Sequence, residues 1–268
     1  TISGSNTDVQ AMTTIADGAK LVMGAADALG NAANAGQITV DGTLETGFAG
    51  TLHNLLGGSN TDALWDQKGA GTLVSAGNNT FAGKIKVSQG TLSLTGHNEF
   101  VSGAELLTGT TLELAQDKSA GSGQIRMTGT TGAIKALGDL SLVNAIAISG
   151  TGTLDINGHN VASSGLINGA GSLAIQGGGH LTLLGDNAFA GNTTINSTTV
   201  TLGAGTPDGL SAGTVALTGG SVLELAFNNA VFDNQLSGAA TETVLVTGTG
   251  ITLSAVNTAF SGTWTIQG

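Results

Sequence analysis

Four histidines, eighteen carboxylates and seven lysines or arginines are the groups in this 268-residue chain that could do acid–base, nucleophilic or metal chemistry. Cysteine and tyrosine are absent. The histidines, His53, His97, His159 and His180, stand in dissimilar surroundings. Two of them fall in Gly-His-Asn tripeptides, Gly96-His97-Asn98 and Gly158-His159-Asn160, which read as polar chain corners rather than ligands. No HExxH segment is present, so a zinc hydrolase lacks its basis. A serine hydrolase needs its nucleophile on a tight turn beside a base, and there is no Gly-x-Ser-x-Gly elbow. Gly150-Thr151-Gly152-Thr153-Leu154-Asp155 has the flavour of a calcium-binding nonapeptide, but Asp155 stands one position late and the segment occurs once. Gly-x-Gly pairs such as Gly69/Gly71 and Gly177/Gly179 lack the Lys-Ser/Thr of a phosphate loop. The sequence therefore assigns no catalytic residue, no cofactor site and no metal site.

Carbohydrate chemistry and plain binding are what remain. Glycoside hydrolysis uses paired carboxylates, and the densest charged cluster is Asp62, Asp66 and Lys68 around Trp65. A sugar platform is one reading of it; the plainer reading is a solvated loop with Trp65 tucked against the body. Two stretches fit no regular pattern and are expected to form loops off one face: Leu56–Gln67, carrying Asn60, Asp62, Trp65 and Asp66, and Ala226–Thr243, carrying Asn228, Asn229 and Asp233. These seven residues are the candidate binding residues. A polysaccharide-active lyase or hydrolase is the enzyme alternative, weakened because the second half has no basic residue beyond Lys135.

The elements that must position these groups follow from composition. Glycine supplies 45 residues and proline one, aromatics are 3 %, and 40 % is hydrophobic. That is too apolar for a disordered chain, and the glycines lack collagen's period of three. Polar or glycine residues interrupt every apolar run well short of the ~18 residues of a membrane helix, so no direct membrane insertion is expected. Net charge is −11 and no Lys or Arg follows Lys135, which makes nucleic acid a very poor partner. The lack of Cys fits export through an oxidising compartment.

Residues 69–94 and 177–202 match without gaps at a shift of 108. Shared positions include Gly69/Gly177, Leu73/Leu181, Gly77/Gly185, Asn79/Asn187, Phe81/Phe189, Gly83/Gly191 and Leu94/Leu202. A third copy starts at Gly248 and places Phe260 and Gly262 where Phe81 and Gly83 stand. Between these landmarks apolar residues alternate with Thr, Ser, Lys or Asp, as in Ile85-Lys86-Val87 and Leu154-Asp155-Ile156. A period of two over three to five residues predicts short half-buried strands, with Gly and Asn at the corners. Such units, recurring about every 18–25 residues, predict an all-β solenoid whose stacked turns share one core. The Ala-rich segment 20–35 reads as a loop with at most a helical turn, because Gly24 and Gly30 interrupt it.

The module Gly-x-Gly-x-Leu-x-x-x-Gly-x-Asn-x-Phe-x-Gly, followed by a strand and Gly-x-Leu-x-Leu, resembles the autotransporter-associated β-strand repeat of type V secreted passengers. The resemblance implies a right-handed parallel β-helix, an elongated rod exported to the bacterial cell surface or outer membrane and displayed there or released. It implies a non-catalytic adhesin, one that mediates autoaggregation, biofilm formation or host adhesion and so contributes to virulence. The expected partners are a second copy of the chain or a host-surface protein or glycan. On this reading residues 1–268 are a single β-helix fragment of a longer passenger, without signal peptide or translocator barrel. A stalk carrying a functional domain located elsewhere is a further alternative. The repeat residues are structural, so the family carries over no functional residue.

Overall fold

A computed structural model describes residues 1–6, 9–203, 210 and 213–267. It contains parallel strands and no helix among these residues, and the strands stack as a β-solenoid. Two compact units make up the chain, Thr1–Ala133 and Ile134–Gly268.

In the first unit the longest sheet stacks Lys20–Met23, Thr43–Thr46, Leu64–Gln67, Lys84–Val87, Ala104–Leu106 and Ile125–Met127 in chain order. A second column stacks Gly50–Leu52, Thr72–Ser75, Thr91–Leu94 and Thr110–Leu114; a third holds Thr13–Ile15, Ile38–Val40 and Leu56–Gly57. Each turn lays its strands on those of the turn before, about 4.8 Å away. Alternation then sends every second side chain inward. Leu44, Trp65, Ile85, Ala104 and Ile125 are register partners in succession and all are buried. No single turn could bury these faces alone; the stack does so collectively.

The second unit repeats the plan. One sheet runs Leu140–Leu142, Asn160–Ser163, His180–Leu183, Thr199–Leu202, Val222–Leu225, Thr243–Val246 and Thr263–Ile266. Another stacks Thr151–Asp155, Ser172–Gln176, Thr193–Asn196, Val215–Thr218, Leu236–Gly238 and Ala259–Phe260. Ile146–Ile148, Ile167–Gly169 and Ala188–Phe189 form a shorter column, and Val231–Phe232 pairs with Thr252–Leu253.

Three expectations change here. Lys20–Met23 is a strand, because Leu21 lies in register with Leu44 and the sheet supplies what the segment's propensity does not. Leu56–Gln67 is not a loop: Leu56–Gly57 and Leu64–Gln67 are strands joined by a turn. Within Ala226–Thr243, Val231–Phe232 and Leu236–Gly238 are strands as well.

The repeat landmarks have mechanical roles. The Asn79 side-chain oxygen accepts the N–H of Leu56 at 2.7 Å, and that of Asn187 accepts the N–H of Ile167 at 2.9 Å. In the third copy Asn257, one position earlier relative to its Phe, accepts the N–H of Leu236 at 2.7 Å. Each Asn thus starts a strand on the preceding turn, at Leu56–Gly57, Ile167–Gly169 and Leu236–Gly238. Glycine two residues after Phe is a matter of space: a Cβ on Gly83 would stand 2.4 Å from the Phe81 ring, and one on Gly262 2.5 Å from Phe260.

Candidate interaction surfaces

The predicted binding residues divide by unit. Asn60 closes a corner in the first unit: its Nδ2 donates to Asp41 O at 2.6 Å and its Oδ1 accepts the N–H of Asp62 at 3.0 Å. Asp62 is exposed. Trp65 is fully buried, which rules it out as a sugar platform. Its indole Nε1 donates to the Thr46 hydroxyl at 3.1 Å, that hydroxyl donates to Gln67 Oε1 at 2.9 Å, and Gln67 Nε2 donates to Gly69 O at 3.0 Å. This relay satisfies three polar groups inside an apolar bore, where an unpaired one would cost ~1–3 kcal/mol. Phe100 stacks a tilted ring 6.4 Å from Trp65 and an edge 6.1 Å from Phe81. Asp66 is 5 % exposed, accepts the Ser88 hydroxyl at 2.7 Å and lies 3.6 Å from Lys68 Nζ.

In the second unit Asn228 Oδ1 accepts both the N–H and the hydroxyl of Thr249, at 2.8 and 3.0 Å. Asn229 takes a positive φ of 52° at the same corner, and Asp233 is exposed.

Residue-by-residue reading missed a column of charge on the first unit's longest sheet. Val22, Glu45, Asp66, Lys86, Glu105 and Arg126 are register partners in succession, one per turn. Lys20 and Lys68 clasp Glu45 Oε1 at 2.7 and 2.6 Å. Burial pushes the Glu45 carboxyl up, but the hydrogen bonds and charges of Lys20 and Lys68 outweigh it and hold the group below the usual range. Glu45 in turn raises Lys68, with Asp66 adding to the effect. Lys84 reaches Glu105 at 3.0 Å. Burial raises Glu105 too, and Lys84, Lys86 and the Thr128 hydroxyl bring it below the ordinary value. The signal lay in alternation: each charge is the outward residue of a short strand, recurring about every twenty residues.

The second unit presents a different face. Outward on its longest sheet, the Thr201 hydroxyl donates to Glu224 Oε2 at 2.7 Å and stands 2.7 Å from His180 Nε2. Thr247 donates to Glu224 Oε1 at 2.9 Å. Register places Asn160, His180, Thr199, Val222, Thr243 and Thr263 in one column and Thr182, Thr201, Glu224, Leu245 and Thr265 in the next. At one end Asp139 accepts the N–H of Asn160 at 2.8 Å and its Nδ2 at 3.2 Å. Those bonds, backbone first, hold the Asp139 carboxyl below its usual value. The hydroxyl flanked by imidazole and carboxylate has a hydrolase's residue types, but Thr201 is only 8 % exposed. The triplet works as a cross-turn hydrogen-bond chain. Among the described residues no group of three or more His, Asp or Glu could hold a metal ion.

No protein-family model matches the chain, and no solved structure matches it. Over 136 residues, 49 % of the chain, it is 29 % identical to the adhesin BmaC autotransporter of Brucella suis biovar 1 (strain 1330). The matched region covers 3 % of that much longer protein. A repeat-built solenoid of parallel strands, with half its length similar to an autotransporter adhesin, is what an autotransporter passenger domain would present.

Proposed function

We propose that the chain is part of an adhesin-like autotransporter passenger, exported to the bacterial surface, that acts by binding rather than catalysis. One observation carries this reading. The outward residues form ladders repeated turn after turn, Thr and Asn on one unit and paired charges on the other, along parallel sheets. Ladders of donors and acceptors suit many weak contacts in parallel, and multivalency on a cell surface multiplies them. Cell–cell aggregation, biofilm formation and host adhesion are the roles such a surface serves. The likeness to a named adhesin supports export and adhesion together.

Sedimentation of the isolated chain across a dilution series tests the homotypic form. Reversible growth in mass at micromolar concentration is expected, together with clumping of cells that display the chain. A strict monomer whose displaying cells stay dispersed and fail to adhere would overturn the adhesive reading.

A further inference from the structure

The first unit carries an excess of positive charge confined to part of one sheet, and the ion pairs already described leave it unneutralised. Lys84 and Lys86 point outward from one strand, in the sequence's sole Lys-x-Lys. Lys86, Glu105 and Arg126 follow one another in register. Three cations therefore surround one carboxylate, and that carboxylate is committed to Lys84 at 3.0 Å and to the Thr128 hydroxyl at 3.3 Å. Lys86 makes no hydrogen bond or ion pair among the described residues; it acts on Glu105 only through its charge. Arg126 is exposed, and its Nε donates to Gln124 at 2.8 Å. Earlier in the same sheet, Lys20 and Lys68 are balanced by Glu45 and Asp66. In a chain of net charge −11 this local surplus of two positive charges stands out.

The geometry points to a linear anionic polysaccharide as the partner of this face. Lys86 and Arg126 lie two turns apart, about 10 Å, and Lys84 lies about 7 Å along the strand from Lys86. The cations stand on successive turns of one sheet, an arrangement suited to an extended chain with regularly repeated anions rather than to one inserted group. Trp65, Phe81 and Phe100 are all buried, so ring stacking contributes nothing and the ligand must be recognised through charge. A bulky acidic protein would lay its own carboxylates over Glu45 and Asp66 as well as over the cations; a narrow polymer can follow Lys86 and Arg126 alone. The inference rests on the adhesive reading and names its partner. Sedimentation of the chain alone involves no glycan, so the two can fail separately.

The test is equilibrium binding of the full chain to immobilised heparin, which is sulfated, and to hyaluronate, which carries carboxylates only. Saturable binding to either, weakening as salt rises, is expected, and the preferred polymer identifies the anion. Lys86→Gln/Arg126→Gln should weaken it about three- to tenfold, the range for two charge contacts at a surface. Lys118→Gln/Lys135→Gln removes equal charge elsewhere and should change it less than about twofold. The thermal melt of Lys86→Gln/Arg126→Gln should match the parent, since neither side chain lies in the core. Absence of saturable binding at low salt overturns the proposal. So does equal loss in both variants, or binding of polyglutamate or duplex DNA as tight as that of the glycans.

Discussion

Buried asparagines in this chain act as backbone surrogates. Asn79 is 1 % exposed and uses its whole amide: Oδ1 accepts from Leu56 N–H, and Nδ2 donates to Asn98 Oδ1 at 2.8 Å and to Ser75 Oγ at 3.2 Å. Its own N–H also reaches Asn98 Oδ1, at 3.1 Å. Asn79→Ala would orphan a buried strand N–H and strip Asn98 of a donor. The expected cost is about 2–4 kcal/mol, read as a lowered denaturant midpoint. Its neighbour Asn78 is exposed and accepts one bond, from His97 N–H at 2.9 Å. Asn78→Ala should therefore cost under about 1 kcal/mol. Equal losses at the two positions would show that the corner ladder contributes no more than a surface contact. The third copy makes the same point from sequence: Asn257 is displaced by one residue relative to its Phe, yet reaches the same kind of strand-starting N–H.

At the scale of elements, the Phe-x-Gly step shows how tightly one turn seats on the next. A Cβ at Gly83 would stand 2.4 Å from both the Phe81 ring and the Ala63 carbonyl oxygen. Gly83→Ala should cost more than about 2 kcal/mol, because backbone as well as ring must move. Phe81→Leu would relieve the ring contact, so Gly83→Ala/Phe81→Leu should cost measurably less than the sum of the singles in thermal melts. Simple additivity would mean that ring and glycine do not share the space. Short strands, corners and inward positions within the repeat copies were legible in the sequence, since alternation and Gly/Asn punctuation express the same geometry. What failed were Lys20–Met23, the strands within Ala226–Thr243 and the stretch around Trp65. An indole and a glutamine on successive inward positions looked foreign to a narrow apolar bore, yet the Thr46–Gln67–Gly69 relay satisfies both. Registers were equally hidden. The charged column repeats at unequal intervals, from Val22 through Glu45, Asp66, Lys86 and Glu105 to Arg126. Only the pairing of turns brings those residues into line.

Across the whole molecule charge is unevenly spent, and pH should expose this. Of the two units, Thr1–Ala133 holds every cation but Lys135, so ion pairing of its carboxylates is where acid sensitivity concentrates. Glu45 is held below its usual value by Lys20 and Lys68 after burial has pushed it up. Its contribution is complete above the unfolded value of about 4.3 and is lost as pH falls through the folded value. Lys68, raised chiefly by Glu45, behaves in the opposite sense: its share is complete below about pH 10.4 and is lost as pH climbs through the folded value. Glu45→Gln removes the first effect and the larger part of the second, leaving Lys68 only its contact with Asp66. The stability gap between parent and Glu45→Gln, from denaturant unfolding, should be widest near neutrality and close in acid and in strong base. Hydrogen exchange in Thr43–Thr46 and Leu64–Gln67, the strands that carry Glu45 and Asp66, should report the same closure locally. High salt should shrink the gap at every pH, since Lys20 and Lys68 are about half exposed. A gap that stays constant from neutral pH into acid would mean the clasped carboxylate stabilises nothing, leaving the charged column to serve binding alone.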